Sequence, residues 1–316
     1  MIHIIKFTIA ILLLFVSITA FSESPDTDAA FSYTIAWISD TQNYATKYNK
    51  DIFFAMTDYL AQNRERLRIE YIPHTGDVVG QSNIPDQYMI AKAAMDAIAD
   101  IPGGILAGNH DSNTSKNLQY FSEYFGVDQY RGKPWFGEWA MKDNAAHYDL
   151  VTMGSTDFVF VYLSYEFTDS SGISYANRIF KSYPNRVGVL CVHDYLHYNS
   201  KLSGTGKRLQ ESIVAVNPNV YMVLCGHNNN EDNLIAEFDD DGDGAADRTV
   251  YQLIANYQYI KDSENGGDGY IRFLEINEDA GTIRFYTYSP WNGKTRAIPN
   301  DAKTQTDTLP IPWIER

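Results

Sequence analysis

The sequence predicts an α/β fold, a sheet with parallel portions covered by helices, and three observations predict it. Short apolar runs alternate with segments of helical periodicity through the first two-thirds of the chain. Five of those runs end in polar side chains able to bind a metal. The last third is a succession of short strands with turns between them. At 316 residues and 44% hydrophobic, the chain can bury a substantial core.

The N-terminal segment stands apart from this pattern. "MIHIIKFTIAILLLFVSITAFSES" carries Lys6 and then an apolar run from Phe7 to Phe21, short for a membrane span and suited to a signal peptide. Ala20 and Ser22 supply the small residues for cleavage after Ser22. The expectation is an exported protein, periplasmic or secreted, with residues 1–22 removed; the alternative is an uncleaved anchor. No internal repeat or linker divides residues 23–316, which predicts a single domain.

"YTIAWIS" reads as the first strand. In "KDIFFAMTDYLAQNRERL" the apolar Ile52, Phe53, Met56, Tyr59 and Leu60 stand at helical spacing. "IEYIPH" is a strand, "DQYMIAKAAMDAIAD" a helix with Asp86 at its cap, and "GGILAG" a third strand. "FSEYFGVDQYRGKPWFGEW" has no clear period and reads as an irregular surface excursion. "AHYDLVTMG" and "TDFVFVYLSYE" form a hairpin, "ISYANRIFKSYP" a helix and "RVGVLCVHD" a strand. "GKRLQESIVAVNPNV" is a helix leading into the strand "YMVLCGHN". "LIAEF", "TVYQLIANYQ", "GYIRFLEIN" and "TIRFYTYSP" are the closing strands. Cys191 and Cys225 lie in apolar runs, as buried thiols on strands or, if the runs approach closely enough, as a disulfide.

A formal charge of −15 with no basic stripe excludes duplex nucleic acid as a partner. It also opposes any anionic substrate, unless a local cation draws it in. The strand ends supply that possibility. The five runs are followed by Asp40, Thr41 and Gln42; by Asp77; by Asn109 and His110; by His193 and Asp194; and by His227, Asn228 and Asn229. Ligands of open α/β sheets bind beyond the carboxyl ends of strands. Two neighbouring divalent ions want a bridging carboxylate, further oxygens and neutral imidazoles, and would create the missing positive field.

The order "DTQ" at 40–42, "GDVV" at 76–79, "GNHD" at 108–111, "VHDY" at 192–195 and "GHNN" at 226–229 resembles the calcineurin-like metallophosphoesterase family. The resemblance implies a four-layer sandwich of two mixed β-sheets flanked by helices. It implies a phosphoric ester hydrolase, phosphatase or phosphodiesterase, using a hydroxide that bridges two divalent ions (manganese, iron or zinc). Asp40 would hold the first ion, Asp77 both, and Asn109, His193 and His227 the second. His110 and Asp111 form the catalytic pair, His110 facing the substrate beside Asn109 and Asp111 supporting the loop. The expected substrate is a small phosphoester or nucleotide-like compound, with no membrane partner once the leader is cleaved.

Three positions depart from the family pattern. Gln42 and Asn229 stand where histidines are usual, which leaves the first site without imidazole and favours manganese, magnesium or calcium over zinc there, with manganese the preferred ion of the pair. Some secreted members of the family carry "DTQ", so Gln42 is counted as a ligand, and Asn229 is counted with it as the residue in the second histidine's place. Gly80 stands where one branch has an acid that orients the catalytic histidine. His197 is an alternative to His193, His74 is expected behind the site, and His147 is expected to be structural.

"DDDGDGAAD" places Asp239, Asp241, Asp243 and Asp247 at positions one, three, five and nine of a calcium loop, with Gly244 at position six. Val250 replaces the usual glutamate at position twelve, so the expectation is a calcium-clamped hairpin at 239–247; the alternative is a solvated acidic turn. A non-catalytic metal- or calcium-dependent binding protein on the same fold is the alternative function.

Overall fold

The computed structural model describes residues 31–113, 117–140, 144–259, 263–296 and 307–314. The leader reading falls outside these residues.

Two mixed sheets pack face to face. The first has the order β12-β11-β10-β1-β2, with β13 also paired to β11. Its strands are β1 (Tyr33–Trp37), β2 (Ile69–Tyr71), β10 (Ile271–Asn277), β11 (Thr282–Ser289), β12 (Lys294–Arg296) and β13 (Thr308–Pro310). Only β1 and β2 are parallel; the other pairings are antiparallel. The second sheet has the order β3-β4-β5-β6-β7-β9-β8. It comprises β3 (Phe136–Ala140), β4 (Ala146–Met153), β5 (Thr156–Leu163), β6 (Val187–Val192), β7 (Val220–Cys225), β8 (Asn230–Phe238) and β9 (Arg248–Asn256). Its centre, β5-β6-β7-β9, is parallel, and its margins are antiparallel.

Period-two alternation sorts each central strand between two cores. Tyr33, Ile35 and Trp37 of β1 meet Phe158 and Phe160 of β5, Val189 and Cys191 of β6, and Met222 and Leu224 of β7 between the sheets. The opposite face of the first sheet packs on α1 (Lys50–Asn63), α2 (Pro85–Asp96) and α3 (Gln119–Phe125). Helix α1 buries Ile52, Phe53, Met56 and Leu60 of the predicted stripe; Thr57 joins them, and the predicted Tyr59 is half-buried. The opposite face of the second sheet packs on α5 (Ser170–Ser182) and α6 (Gly204–Ser212). Asp169 caps α5, accepting from the N–H groups of Ser171 and Gly172 at 3.0 and 3.3 Å. Helix, sheet, sheet, helix is the expected four-layer sandwich.

Three local expectations are corrected. The excursion at 121–139 contains the end of α3, the short α4 (Val127–Tyr130) and β3; helices of seven and four residues are too short to display two periods. "GGILAG" does not form a regular ladder. It follows residues 72–74 through Ile72 N–H to Pro102, His74 N–H to Gly104 and Leu106 N–H to His74, with one bridge at Ile105. Asp86 does not cap α2, because Ile84 occupies that position and Pro85 opens the helix.

Cys191 and Cys225 are free and buried. Alternation sends Cys191 into the core between the sheets and Cys225 into the core under α5 and α6. Opposite faces of one sheet cannot be bridged.

Candidate metal centre

The parallel strands place their carboxyl ends at one end of the sandwich, and polar side chains gather there. Asp77, His193 and His227 each offer a ligand atom within 4.8 Å of the others. Asp77 and His193 are buried, and His227 is half-buried. Asp40, Asp77 and His227 have φ of 54°, 53° and 67°, the left-handed region that non-glycine residues rarely adopt. Such conformations cost about 1–3 kcal/mol each and persist where surrounding structure enforces them, typically at functional sites.

The glycines of the motifs have a packing reason. A Cβ on Gly108 would collide with the Asp77 carboxylate, and one on Gly226 with that of Asp40. Glycine lets each carboxylate lie directly against the neighbouring backbone.

His193 is the pivot of the cluster. Its Nδ1–H donates to the Thr75 carbonyl at 2.8 Å, so Nε2 is turned toward Asp77 Oδ2 at 3.3 Å and Asn109 Oδ1 at 3.1 Å. Burial opposes charge on this imidazole, but Asp77 and Asp40 drive its pKa up to about 10. Burial also resists the ionised Asp77, yet His193 pulls its pKa below the ordinary carboxylate value. Burial lifts Asp40 to about 7, against the pull of His193.

Asp40 sits at the end of a hydrogen-bond chain. The Trp37 indole donates to Thr75 Oγ1 at 2.9 Å, Thr75 to Ser39 Oγ at 2.6 Å, and Ser39 to Asp40 Oδ2 at 2.6 Å. Asn256 Nδ2 donates to Asp40 Oδ1 at 2.9 Å, and the His227 amide lies 3.2 Å from both oxygens. Gln42 Nε2 donates to Asp77 Oδ2 at 3.0 Å and to Gln258 Oε1 at 3.2 Å. Its Oε1 is buried with no hydrogen-bond partner among the described residues. Gln42 thus leaves an unpaired amide oxygen beside Asp77, and amide oxygen, carboxylate and imidazole together are donor types that suit a divalent ion.

His110 lies above this cluster and is exposed. Its backbone N–H donates to Asp77 Oδ1 at 2.9 Å, and its ring Nδ1–H donates to the Gly80 carbonyl at 2.9 Å. The partner of His110 is therefore the backbone of the very residue at which an acid was missing. A carbonyl only accepts, so Nδ1 carries the hydrogen and Nε2 is left for another partner.

Asp111 is buried, and its oxygens accept the N–H groups of Val78 at 3.1 Å, Val79 at 3.0 Å and Gly108 at 2.8 Å. Burial and the neighbouring Asp77 raise it to about 7, against those three donors. His74 accepts the Gly76 N–H and bonds Thr41 Oγ1 at 3.0 Å, behind the site; burial lowers it to about 3. His197 sets its ring at a tilt of 50° against that of Tyr198, 4.2 Å between centroids, and is not among the converging ligand atoms.

Asn229 is exposed. The amides that contact Asp40 and Gln42 are instead Asn256 and Gln258, which follow the apolar run "VYQLIA" of β9. They carry the same signal as the other strand ends. Tyr165, at the end of β5, sets its ring 5.9 Å from that of His193 and 5.6 Å from that of His227. The acidic loop is the tip of the β8–β9 hairpin. Asp239, Asp241 and Asp247 bring carboxylate oxygens within 4.8 Å of one another, all exposed. Asp243 is outside that group, and its Oδ1 accepts the Ala245 N–H at 2.8 Å.

A model of the family described as calcineurin-like phosphoesterase matches residues 33–230. The uncharacterized protein YvnB of Bacillus subtilis (strain 168) is 37% identical over 262 residues, 82% of this chain. The match is 20% of YvnB, so the chain spans about a fifth of that relative's length. A purple acid phosphatase from yellow lupin (Lupinus luteus) seeds superimposes with a TM-score of 0.54 at 13% identity, over 85% of this chain and 53% of its own. GAP50, the anchor in the inner membrane complex of Plasmodium, superimposes with a TM-score of 0.51 at 13% identity, over 87% of this chain and 91% of its own. At such identities these two likenesses concern the fold.

Proposed function

The chain belongs to the calcineurin-like phosphoesterase family, and on that premise we propose that it is an exported, metal-dependent phosphoester hydrolase acting on a small phosphoester. The observation that carries the reading is the convergence of Asp77, His193 and His227 within 4.8 Å, with His193 Nδ1 already committed to Thr75. Asp40, Gln42, Asp77, Asn109, His193 and His227 would hold two divalent ions, manganese by preference. Such ions supply a hydroxide nucleophile near neutral pH and neutralise phosphoryl charge.

The chain's own residues do the rest. Asp77, braced by the Gln42 amide and the His110 N–H, keeps its carboxylate directed into the cluster. Asn109 would meet both ion and substrate. His110, its tautomer set by Gly80, presents Nε2 to the phosphoryl oxygens or to the leaving alkoxide, to which a protonated ring can give a proton. Asp111 acts through the loop, holding the amides of 78, 79 and 108. Export rests on the leader-like N-terminal segment. The acidic hairpin tip, with three converging carboxylates, supports a structural calcium ion; added calcium should raise the melting temperature of EDTA-treated protein, less so after Asp239→Asn.

The test is metal analysis of the purified protein alongside hydrolysis of an aryl phosphate and a bis-aryl phosphate. Metal-dependent turnover that falls in His110→Ala supports the reading; metal-loaded protein without turnover sinks it. A second reading, a non-catalytic binding protein, is favoured by Asp40, whose two oxygens are already held by Ser39, His227 and Asn256. It predicts fewer than two ions per chain and no turnover.

A further inference from the structure

We propose that Gln87 is a positioning residue for His110, acting through the peptide unit between Gly80 and Gln81; the inference rests on the phosphoester-hydrolase reading. Gln87 is the third residue of α2, where a Gln or Glu side chain commonly reaches back to the N-cap amide. Here the Ile84 amide is already bonded to the Gln81 carbonyl at 3.2 Å. Gln87 Oε1 reaches further, accepting the N–H groups of Gly80 and Gln81, each at 2.9 Å.

The second of those bonds matters most. The Gln81 N–H and the Gly80 C=O belong to one planar peptide unit. Gln87 holds its N–H edge, and His110 Nδ1 bonds its carbonyl edge at 2.9 Å. Glycine leaves this plane freer to rotate than any other residue would, and Gln81 is exposed, so local packing does little to fix it. An acceptor on the N–H also polarises the carbonyl and strengthens the bond it accepts. The next helix residue braces the other side, because the Tyr88 hydroxyl donates to the Asp111 carbonyl at 3.0 Å. The start of α2 thus holds both the turn that orients His110 and the residue that follows it. The neutral acceptor Gln87, one peptide away, does what a carboxylate at position 80 would do directly.

Gln87→Ala and Gln87→Glu, each in the unsubstituted and the His110→Ala chain, test this with Mn²⁺ and an aryl phosphate. Gln87→Ala should lower kcat by about tenfold to a hundredfold with KM and manganese content unchanged, since small misplacements of a reacting group carry costs of that order. Gln87→Glu, which keeps an acceptor oxygen, should recover most of the loss. In the His110→Ala background Gln87→Ala should have no further effect. Nitrogen-15 spectra of the metal-free protein should show the His110 Nδ1–H tautomer in the unsubstituted chain and a mixture in Gln87→Ala. An unchanged kcat, an equal loss in the His110→Ala background, or an unaltered tautomer overturns the proposal. If the unsubstituted chain fails to hydrolyse the ester, the enzymatic reading has failed instead, and the imidazole spectrum alone decides the role of Gln87.

Discussion

His193 Nε2 stands 3.3 Å from Asp77 Oδ2 while its Nδ1 is spent on the Thr75 carbonyl. The pair is fully buried, so a proton or a cation must sit between the two atoms. Replacing His193 by Ala leaves the carboxylate without its partner. Truncating one member of a buried pair costs about 3–5 kcal/mol, and that loss is expected in the melting of the metal-free protein. Atomic absorption should show bound metal falling in parallel; full metal content in His193→Ala would contradict the assignment.

Asn256 lies outside the sequence motifs, yet it joins Asp40 to His227 through one amide, at 2.9 Å to Asp40 Oδ1 and 3.0 Å to the His227 carbonyl. Outer partners of metal ligands typically contribute about tenfold to a hundredfold in affinity. Asn256→Ala should weaken metal binding by that order, measured by competition with a chelating dye. Asn229→Ala, at an exposed position, should have a smaller effect.

Asp111 separates a supporting from a chemical role. Asn in its place turns an NH₂ toward a backbone N–H, losing bonds to a charged group worth about 1.5–3 kcal/mol each. The expected result is a lowered melting temperature, with kcat following the fraction folded. A stable Asp111→Asn protein with turnover abolished would instead put Asp111 in the reaction itself.

His147 is fully buried, stacks on Tyr162 at 4.4 Å, and neither ring nitrogen finds a hydrogen-bond partner among the described residues. Burial lowers its pKa from 6.5 to about 3. The unfolded chain therefore takes up a proton near pH 6.5 that the folded chain refuses until about 3. The neutral ring's contribution is intact above 6.5 and is lost as pH falls, by about 2 kcal/mol at pH 5. His147→Phe should flatten the fall in stability between pH 7.5 and 5 in urea titrations. An equal fall in both proteins would refute the assignment.

The polar cluster at the strand ends was readable because a buried apolar run that stops at Asp, Asn or His leaves costly polar groups there unless they are paired or liganded. Asp40, Asp77, Asn109, His193 and His227 announced themselves in this way. Asn256 and Gln258 carried the same signal, but they lie beyond the ordered motifs, on a strand that no motif closes. The orienting partner of His110 had no legible trace, because a backbone carbonyl leaves no residue type behind. Nor did α3 and α4, whose lengths fall below two turns of any detectable period.

The two thiols, sealed on opposite faces of the central sheet, carry a chemical consequence. Neither can reach the other or meet a soluble oxidant while the chain stays folded. Passage from a reducing cytosol to an oxidising exterior would leave both thiols unpaired, and the exported protein would migrate identically on gels run with and without dithiothreitol.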